Sequence, residues 1–238
     1  MPKDIVLSKR LNAVASMVDS CDTFTDIGTD HALLPLWLIM HNVCGRAIAA
    51  DINEGPLRSA RSNAASYGIG NDRITFVLSD GLGSIEDPGE GCNTLAITGM
   101  GGLNITGILK NGAGKTGSYS SFIFSPHTKQ TELRKYLINK GFMITDEKYV
   151  LDDEKLYVII KAVPAGSRRN TDVTDYSETD YRFGRFIEKA LGDVSIRDCL
   201  YMSYGRLCKT IGDSSSIPQE RLAELYKEVQ SYKEVLGI

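Results

Sequence analysis

The stretch CDTFTDIG at positions 21–28 contains the pattern from which the fold can be worked out. Its apolar centre predicts a short strand, and Asp26 and Gly28 stand where that strand ends. The next run, residues 32–41, is apolar and predicts a helix. A strand that leads directly into a helix is typical of an α/β fold.

The same pattern recurs along the first half of the chain. Four further apolar strands are predicted, and helices separate them. These strands are GRAIAADI (45–52), RITFVLSD (73–80), TLAITGMGG (94–102) and SSFIFSP (120–126). Because they lack the polar alternation of a half-exposed sheet, they indicate parallel strands covered by helices on both faces.

Two more strands, FMITDEKYV (142–150) and KLYVIIKAV (155–163), follow with only four residues between them. A parallel connection needs a dozen or more residues, so these two strands must form an antiparallel hairpin. The predicted fold class is therefore α/β, with a mostly parallel sheet that ends in an antiparallel hairpin.

The last third of the chain predicts a separate helical part. One helix is expected over residues 181–211 and a second from Pro218, where apolar residues step by three and four as in a coiled coil. That seam consists of Leu222, Leu225, Val229, Tyr232 and Leu236. The predicted division is a domain at 1–164, a linker at 165–180 and a helical hairpin at 181–238.

Composition excludes several classes of protein. The net charge of −3 excludes an overall basic nucleic-acid coat, although a local basic patch remains possible. The cysteines are odd in number, five, and include no CxxC pair, which argues against disulfides and against a zinc site. The longest apolar run, residues 32–40, is too short to span a membrane. These features predict a metal-free protein of the cytoplasm.

Three carboxylates stand at the ends of successive predicted strands: Asp26, Asp51 and Asp80. Aspartates in such places are often turn formers. However, ligands of open α/β sheets bind outside the carboxyl ends of the strands, so three in register favour a binding site. Asp51 is placed to accept hydrogen bonds from a ribose, and Asp80 from the amine of an adenine. The adjacent residues Gly28, Ile52, Asn53 and Gly81 complete the predicted cofactor-binding set on this edge.

The nucleotide is not expected to be a dinucleotide. Its fingerprint needs three glycines, whereas Gly28 is followed by Thr29, Asp30 and His31, and Asp30 would repel a diphosphate. S-adenosylmethionine fits better, because it carries an adenosine and a sulfonium cation but no phosphate. The run Gly99-Met100-Gly101-Gly102 after the fourth strand predicts a shelf, poor in side chains, that could receive the methyl acceptor.

Several segments together resemble the bacterial tRNA (adenine-22-N1)-methyltransferases. They are LSKRL (7–11), DIGTDHALLP (26–35), NEGP (53–56), SDGL (79–82), TGMGG (98–102), YVLDDEKLYVI (149–159) and DYRFG (180–184). The resemblance covers nearly the whole chain. It implies a Rossmann-like class I methyltransferase domain, a coiled-coil-like C-terminal domain, S-adenosylmethionine as donor, and methylation at N1 of an adenine in tRNA.

The chemistry of this reaction gives candidate roles to further residues. Arg10 is a candidate for the methionine carboxylate of the donor, and His31 for a contact with the donor. Asp30, with the glycine shelf, is the candidate to stabilise the cationic methylated ring. Residues on the substrate side are expected to be Ser125, Pro126, His127, Arg168, Arg169, Arg182 and Arg185. The fifth strand departs here from the family's pattern, since it ends in Ser-Pro-His in place of Gln-Pro-Asn.

Two other functions stay open at this point. A methyltransferase of the same fold could act on a small molecule, and then a closed pocket without a cationic RNA surface is expected. A non-catalytic module could bind S-adenosylmethionine and recruit a partner through its helical tail. The sequence leaves the oligomeric state, monomer or homodimer, undecided.

Overall fold

The computed structural model describes residues 4–164, 176–213 and 217–238. Its centre is a seven-stranded sheet in the order β3-β2-β1-β4-β5-β7-β6. The strands are β1 (Cys21–Ile27), β2 (Cys44–Asp51), β3 (Ile74–Leu78), β4 (Asn93–Met100), β5 (Ser121–Pro126), β6 (Phe142–Asp152) and β7 (Lys155–Pro164). The strands β1 to β5 pair in parallel, whereas β7 is antiparallel to both β5 and β6. The predicted fold class is confirmed.

The strand order reverses between β1 and β4. The chain moves outward from β1 through β2 to β3 and then returns to β4 on the other side of β1. At such a switch point the loops that follow the two strands diverge, which leaves a crevice at the carboxyl edge of the sheet. This topology places the ends of β1, β2, β3 and β4 around one opening.

Helices cover both faces of the sheet. One buried cluster joins α1 and α2 to one face, and a second joins α4 and α5 to the other. The helices of this part of the chain are α1 (Lys9–Ala15), α2 (Leu33–Met40), α3 (Glu54–Ser66), α4 (Gly102–Asn111) and α5 (Gln130–Asn139). Burial on both faces is the reason that the parallel strands are apolar without alternation.

The hairpin of β6 and β7 turns more tightly than the sequence suggested. The strands extend to Asp152 and from Lys155, so only Asp153 and Glu154 form the turn. Both turn residues have positive φ angles, 46° and 60°. A two-residue turn of this kind matches the twist of the paired strands, which explains how so short a connection suffices.

The prediction of one helix over residues 181–211 was wrong. Three helices lie there: α6 (Glu178–Phe183), α7 (Ile187–Ala190) and α8 (Val194–Asp213). Gly184, with φ of 79°, ends α6. The carboxylate of Asp193 then accepts the backbone N–H of Ser195 at 2.8 Å, which begins α8 in a new direction. A capping box between Ser177 and Asp180 begins α6 inside the segment expected to be a linker.

The last helix, α9 (Gln219–Leu236), lies beside α8 and also packs on α6. The Tyr232 ring lies 6.2 Å from the Tyr204 ring of α8 and 4.8 Å from the Phe183 ring of α6, measured between ring centroids. Within the predicted seam, Leu225 is buried and the other residues are partly exposed. None of the helices in the described part of the chain is long and apolar enough to cross a membrane.

Candidate active site

The three strand-end carboxylates lie at the crevice that the topology predicts. Asp26 is the last residue but one of β1, Asp51 is the final residue of β2, and Asp80 follows the end of β3 by two residues. Asp51 and Asp80 line a cleft of about 420 Å³, and Asp26 is buried next to it, 5% exposed. Because Asp26 and Asp51 end neighbouring paired strands, the sheet itself sets their spacing.

The cleft contains most of the predicted cofactor residues and several that were not predicted. The predicted cofactor residues in the cleft are Gly28, Asp51, Ile52, Asp80 and Gly81, and Met100 was predicted as part of the glycine shelf. Those not predicted are Ile27, Ser79, Leu103, Asn104, Gly107, Ile108 and Asn111. The residues from Leu103 to Asn111 in this list lie on one face of α4, at spacings of three and four. A helix predicted to begin at the glycine run would therefore have identified them through its period.

Two glycines let the backbone approach the cleft closely. Gly28 has φ of 77°, and a Cβ there would collide with the Sδ-methyl group of Met100. Gly81 has φ of 57° and lies against Ile108. The positive φ angle favours glycine at both positions, and a side chain at position 81 would also press on Ile108.

Local hydrogen bonds orient the polar groups of the cleft. Oδ1 of Asp51 accepts the backbone N–H of Asn53 at 2.7 Å, which fixes the carboxylate at the mouth of the cleft. The Ser79 hydroxyl donates to the carbonyl of Gly81 at 2.9 Å and accepts the N–H of Ser84. This hydroxyl therefore shapes the turn that presents Asp80.

Asp26 has an unusual ionisation. Burial raises the pKa of Asp26 to about 6, and the neighbouring charge of Asp51 adds to the increase. The Thr29 hydroxyl and the Arg10 guanidinium act in the opposite direction. A buried carboxylate with this pKa is suited to a cationic ligand group that supplies the missing counter-charge.

A second group of side chains meets beyond Asp26, near the ends of β4, β5 and β7. The Arg10 guanidinium lies 5.6 Å from the centroid of the Tyr157 ring, and the His127 ring packs edge-on against the same tyrosine at 5.4 Å. Gly99, with φ of 78°, lies next to the Arg10 and His127 side chains. Burial lowers the pKa of His127, and the charges of Arg10 and Lys155 lower it further.

The predicted glycine shelf divides into two parts with different roles. Gly99 is exposed and lies at a register shift of β4. Gly102 is buried, and a Cβ there would collide with the Lys129 carbonyl. Gly101 is similarly close to the Thr128 side chain. The second half of the glycine shelf therefore packs α4 against the segment after β5. Of the four shelf residues, only Gly99 and Met100 face the open side.

Asp30 and His31 lie on the surface of the loop before α2. Nε2 of His31 lies 3.2 Å from Oδ1 of Asp30, both side chains are more than half exposed, and neither residue lines the cleft. His31 and Ala32 both have positive φ, 60° and 54°. The amide of Asn63 donates to the His31 carbonyl at 2.9 Å and supports this strained turn.

The residues expected on the substrate side are dispersed. Ser125 and Pro126 are buried in β5, whereas His127 faces Gly99. Arg182 pairs with Glu228 of α9 at 3.2 Å, and the Arg185 guanidinium lies 3.8 Å from the Tyr176 ring centroid. Arg168 and Arg169 lie outside the described residues. The structure thus brings His127, but not the two described arginines, to the crevice.

Comparisons with known proteins show which sequences and structures this chain is similar to. A family model described as Methyltransferase domain matches residues 7–160. The tRNA (adenine(22)-N(1))-methyltransferase of Bacillus subtilis (strain 168) is 33% identical over 165 residues, which are 69% of this chain and 68% of that protein. A Streptococcus pneumoniae protein solved with S-adenosyl-L-methionine has a TM-score of 0.83 at 30% identity, covering 97% of this chain and 100% of that chain. M. capricolum TrmK solved with S-adenosyl-homocysteine has a TM-score of 0.80 at 26% identity, covering 97% and 98%.

Proposed function

The chain belongs to the tRNA (adenine(22)-N(1))-methyltransferase family, and we propose that it transfers a methyl group from S-adenosylmethionine to N1 of adenine 22 in tRNA. The observation that carries this proposal is the cleft at the switch point, where Asp51 and Asp80 lie beside the buried Asp26 and Met100 of the glycine run lines the same cleft. S-adenosylmethionine supplies an electrophilic methyl group on a sulfonium cation.

The residues of the cleft fit this donor. Asp51 would accept the two ribose hydroxyls and Asp80 the adenine amine, with Ile52, Asn53 and Gly81 beside them. Gly28 has no side chain, so the donor can approach the backbone closely there; an added Cβ would occupy the space next to Met100. Asp26 would pair with the ammonium of the methionine tail. Arg10, whose Nη1 is buried and lacks a partner among the described residues, would bind its carboxylate.

The reaction needs alignment more than acid–base catalysis. N1 of adenine already has a lone pair, so the main task of the protein is to hold it in line with the methyl group. The target base has to leave the RNA stack to reach Gly99 and Met100. Asp30 remains our candidate for stabilising the cationic ring, with His31 as its partner. Both side chains would act from the exposed loop beside the cleft.

The helical part at 181–238 is proposed to contact the body of the tRNA, as a domain joined to the domain at 1–164 by residues 165–180. A polar groove of about 590 Å³ between α5 and α9 supports this path. Its cations slightly outnumber its carboxylates, and they are Lys129, Lys135, Arg182, Arg221 and Lys227. The groove begins at Lys129, which packs on Gly102 of the shelf. Because the substrate is tRNA, we place the protein in the cytoplasm.

The proposed activity can be tested on tRNA made without modifications. Incubation with methyl-labelled donor and nucleoside analysis should give label in 1-methyladenosine, and none with tRNA that has guanosine at position 22. Label in N6-methyladenosine or in guanosine would overturn the proposed chemistry. Donor binding without any transfer would instead favour the non-catalytic module, and transfer only to small molecules would favour the other alternative.

Donor affinity is expected to depend on pH through Asp26. Since the pKa of Asp26 is about 6 in the free protein, the carboxyl group is neutral below that pH and cannot pair with the donor's ammonium. The dissociation constant, measured by calorimetry, should rise by up to about tenfold for each pH unit below 6. Asp26→Asn should bind more weakly at pH 7.5 and show little change between pH 5 and 7.5. An equally steep change in this variant would assign the effect to another group.

A further inference from the structure

Two buried nitrogens in front of Gly99 have no hydrogen-bond partner among the described residues. They are Nη1 of Arg10 and Nε2 of His127. The position that a Cβ of Gly99 would occupy is 4.0 Å from each of them. An unpartnered buried donor or acceptor is destabilising, so two at one point indicate a place that a ligand completes.

The surrounding contacts fix both side chains before a ligand arrives. The backbone N–H of His127 donates to the carbonyl of Met100 at 2.8 Å, which ties the end of β5 to the glycine run. The backbone N–H of Arg10 donates to Asp152 at 3.0 Å. Tyr157 packs against both side chains, so the two nitrogens share one aromatic support.

The two nitrogens differ in chemistry. Nη1 of Arg10 can only donate, which matches the carboxylate of the donor. His127 is held neutral at neutral pH, since burial, Arg10 and Lys155 all lower its pKa. A neutral imidazole has one nitrogen that accepts a hydrogen bond. In the tautomer that carries its proton on Nδ1, this acceptor is Nε2, which lies next to Gly99 just after β5.

We propose that Nε2 of His127 accepts a hydrogen bond from the exocyclic amine of the flipped adenine and selects adenine over guanine. This proposal rests on the proposed function. Guanine presents a carbonyl oxygen at the corresponding position, and two acceptors facing each other repel. The imidazole therefore recognises the C6 substituent next to N1, which is an amine in adenine and a carbonyl in guanine.

The same hydrogen bond would assist the reaction. As the N1–carbon bond forms and the carbon–sulfur bond breaks, positive charge develops on the purine ring. The amine keeps both of its protons but becomes more acidic, so its hydrogen bond to His127 strengthens. An interaction that is stronger in the transition state than in the bound ground state raises kcat.

Two variants of His127 separate this role from packing. His127→Phe keeps a ring against Tyr157 but has no acceptor, whereas His127→Asn restores an acceptor oxygen. We expect His127→Phe to lower kcat by about 100-fold and His127→Asn by less than about tenfold, with donor affinity within about twofold of wild type in both. Wild-type activity of His127→Phe, or equal losses in the two variants, would overturn the proposal.

A change in the substrate gives a second test, and its first comparison needs only the wild-type protein. Transcripts with purine riboside at position 22 lack the amine but keep N1. The wild-type protein should methylate adenine much faster than purine, and this ratio should fall by about tenfold or more in His127→Phe. Equal wild-type rates on the two bases would overturn the role of His127. Failure of the wild type on adenine itself would instead overturn the proposed function.

Discussion

Replacement of Asp51 by alanine is expected to weaken binding of S-adenosylmethionine by about 100-fold or more. Its carboxylate lies at the end of β2 in the cleft and is oriented by the N–H of Asn53 at 2.7 Å. Two charge-assisted hydrogen bonds to the ribose hydroxyls would be lost together, and a 100-fold change corresponds to about 2.7 kcal/mol. Titration calorimetry of the purified variant measures this change directly.

The chain offers a matched control for this variant. Oδ1 of Asp87 accepts the backbone N–H of Gly89 at 2.9 Å, just as Oδ1 of Asp51 accepts that of the residue two positions later. However, Asp87 is exposed and does not line the cleft. Asp87→Ala should therefore bind the donor as the wild type does. If Asp51→Ala retained wild-type affinity, Asp51 would not be the ribose acceptor, and the donor would have to bind elsewhere along the sheet edge.

The sequence predicted this end of the site well because the information there is local. Asp26, Asp51 and Asp80 each follow an apolar strand, and parallel pairing brings strand ends to one edge whatever the helices between them do. Gly28 was also predictable, since a turn with positive φ favours glycine.

The other end of the site depends on contacts between distant parts of the chain. Arg10 and His127 are 117 positions apart and meet only because α1 packs on the hairpin of β6 and β7. No periodicity in the sequence could indicate that meeting. For the same reason Gly102 resembled part of an open shelf, whereas its role is to let α4 approach the Lys129 carbonyl.

The helical tail shows the same limit. Gly184 was placed inside a continuous helix by the apolar spacing, but a Cβ there would collide with the Glu147 carboxylate of β6. The break between α6 and α7 is thus imposed by the docking of the tail on the sheet. Arg182, predicted to contact RNA, pairs with Glu228 and so also joins α6 to α9. The connection between tail and sheet therefore determines where an RNA-binding surface can lie relative to the cleft.

That connection centres on one buried ion pair. The side chains of Arg134 and Glu147 are both 1% exposed, and Nε donates to Oε1 at 2.7 Å. Nη1 of Arg134 also donates to the carbonyls of Tyr181 and Arg182, at 3.1 and 2.9 Å, at the end of α6. The Tyr149 hydroxyl donates to the Phe183 carbonyl beside them. A single arginine thus joins α5, β6 and the first helix of the tail.

Arg134→Met is expected to lower the free energy of unfolding by about 3–5 kcal/mol. Loss of the guanidinium leaves the Glu147 charge buried without its counter-ion and leaves two α6 carbonyls without a donor. Because burial already raises the pKa of Glu147, the variant should recover part of its stability as the pH falls and this carboxyl group is protonated. Urea denaturation at pH 7.5 and pH 5.5 measures both effects.

Two further variants decide whether the buried charge is the cause. Arg221 pairs with Glu224 at 2.7 Å on the surface, so Arg221→Met should cost less than about 1 kcal/mol. The double variant Arg134→Met/Glu147→Leu removes both buried charges and should regain much of the loss, since apolar replacements of a buried pair are often tolerated. If the double variant were as unstable as Arg134→Met, the carbonyl bonds to α6 would be the dominant contribution, and the tail would be held by capping rather than by charge.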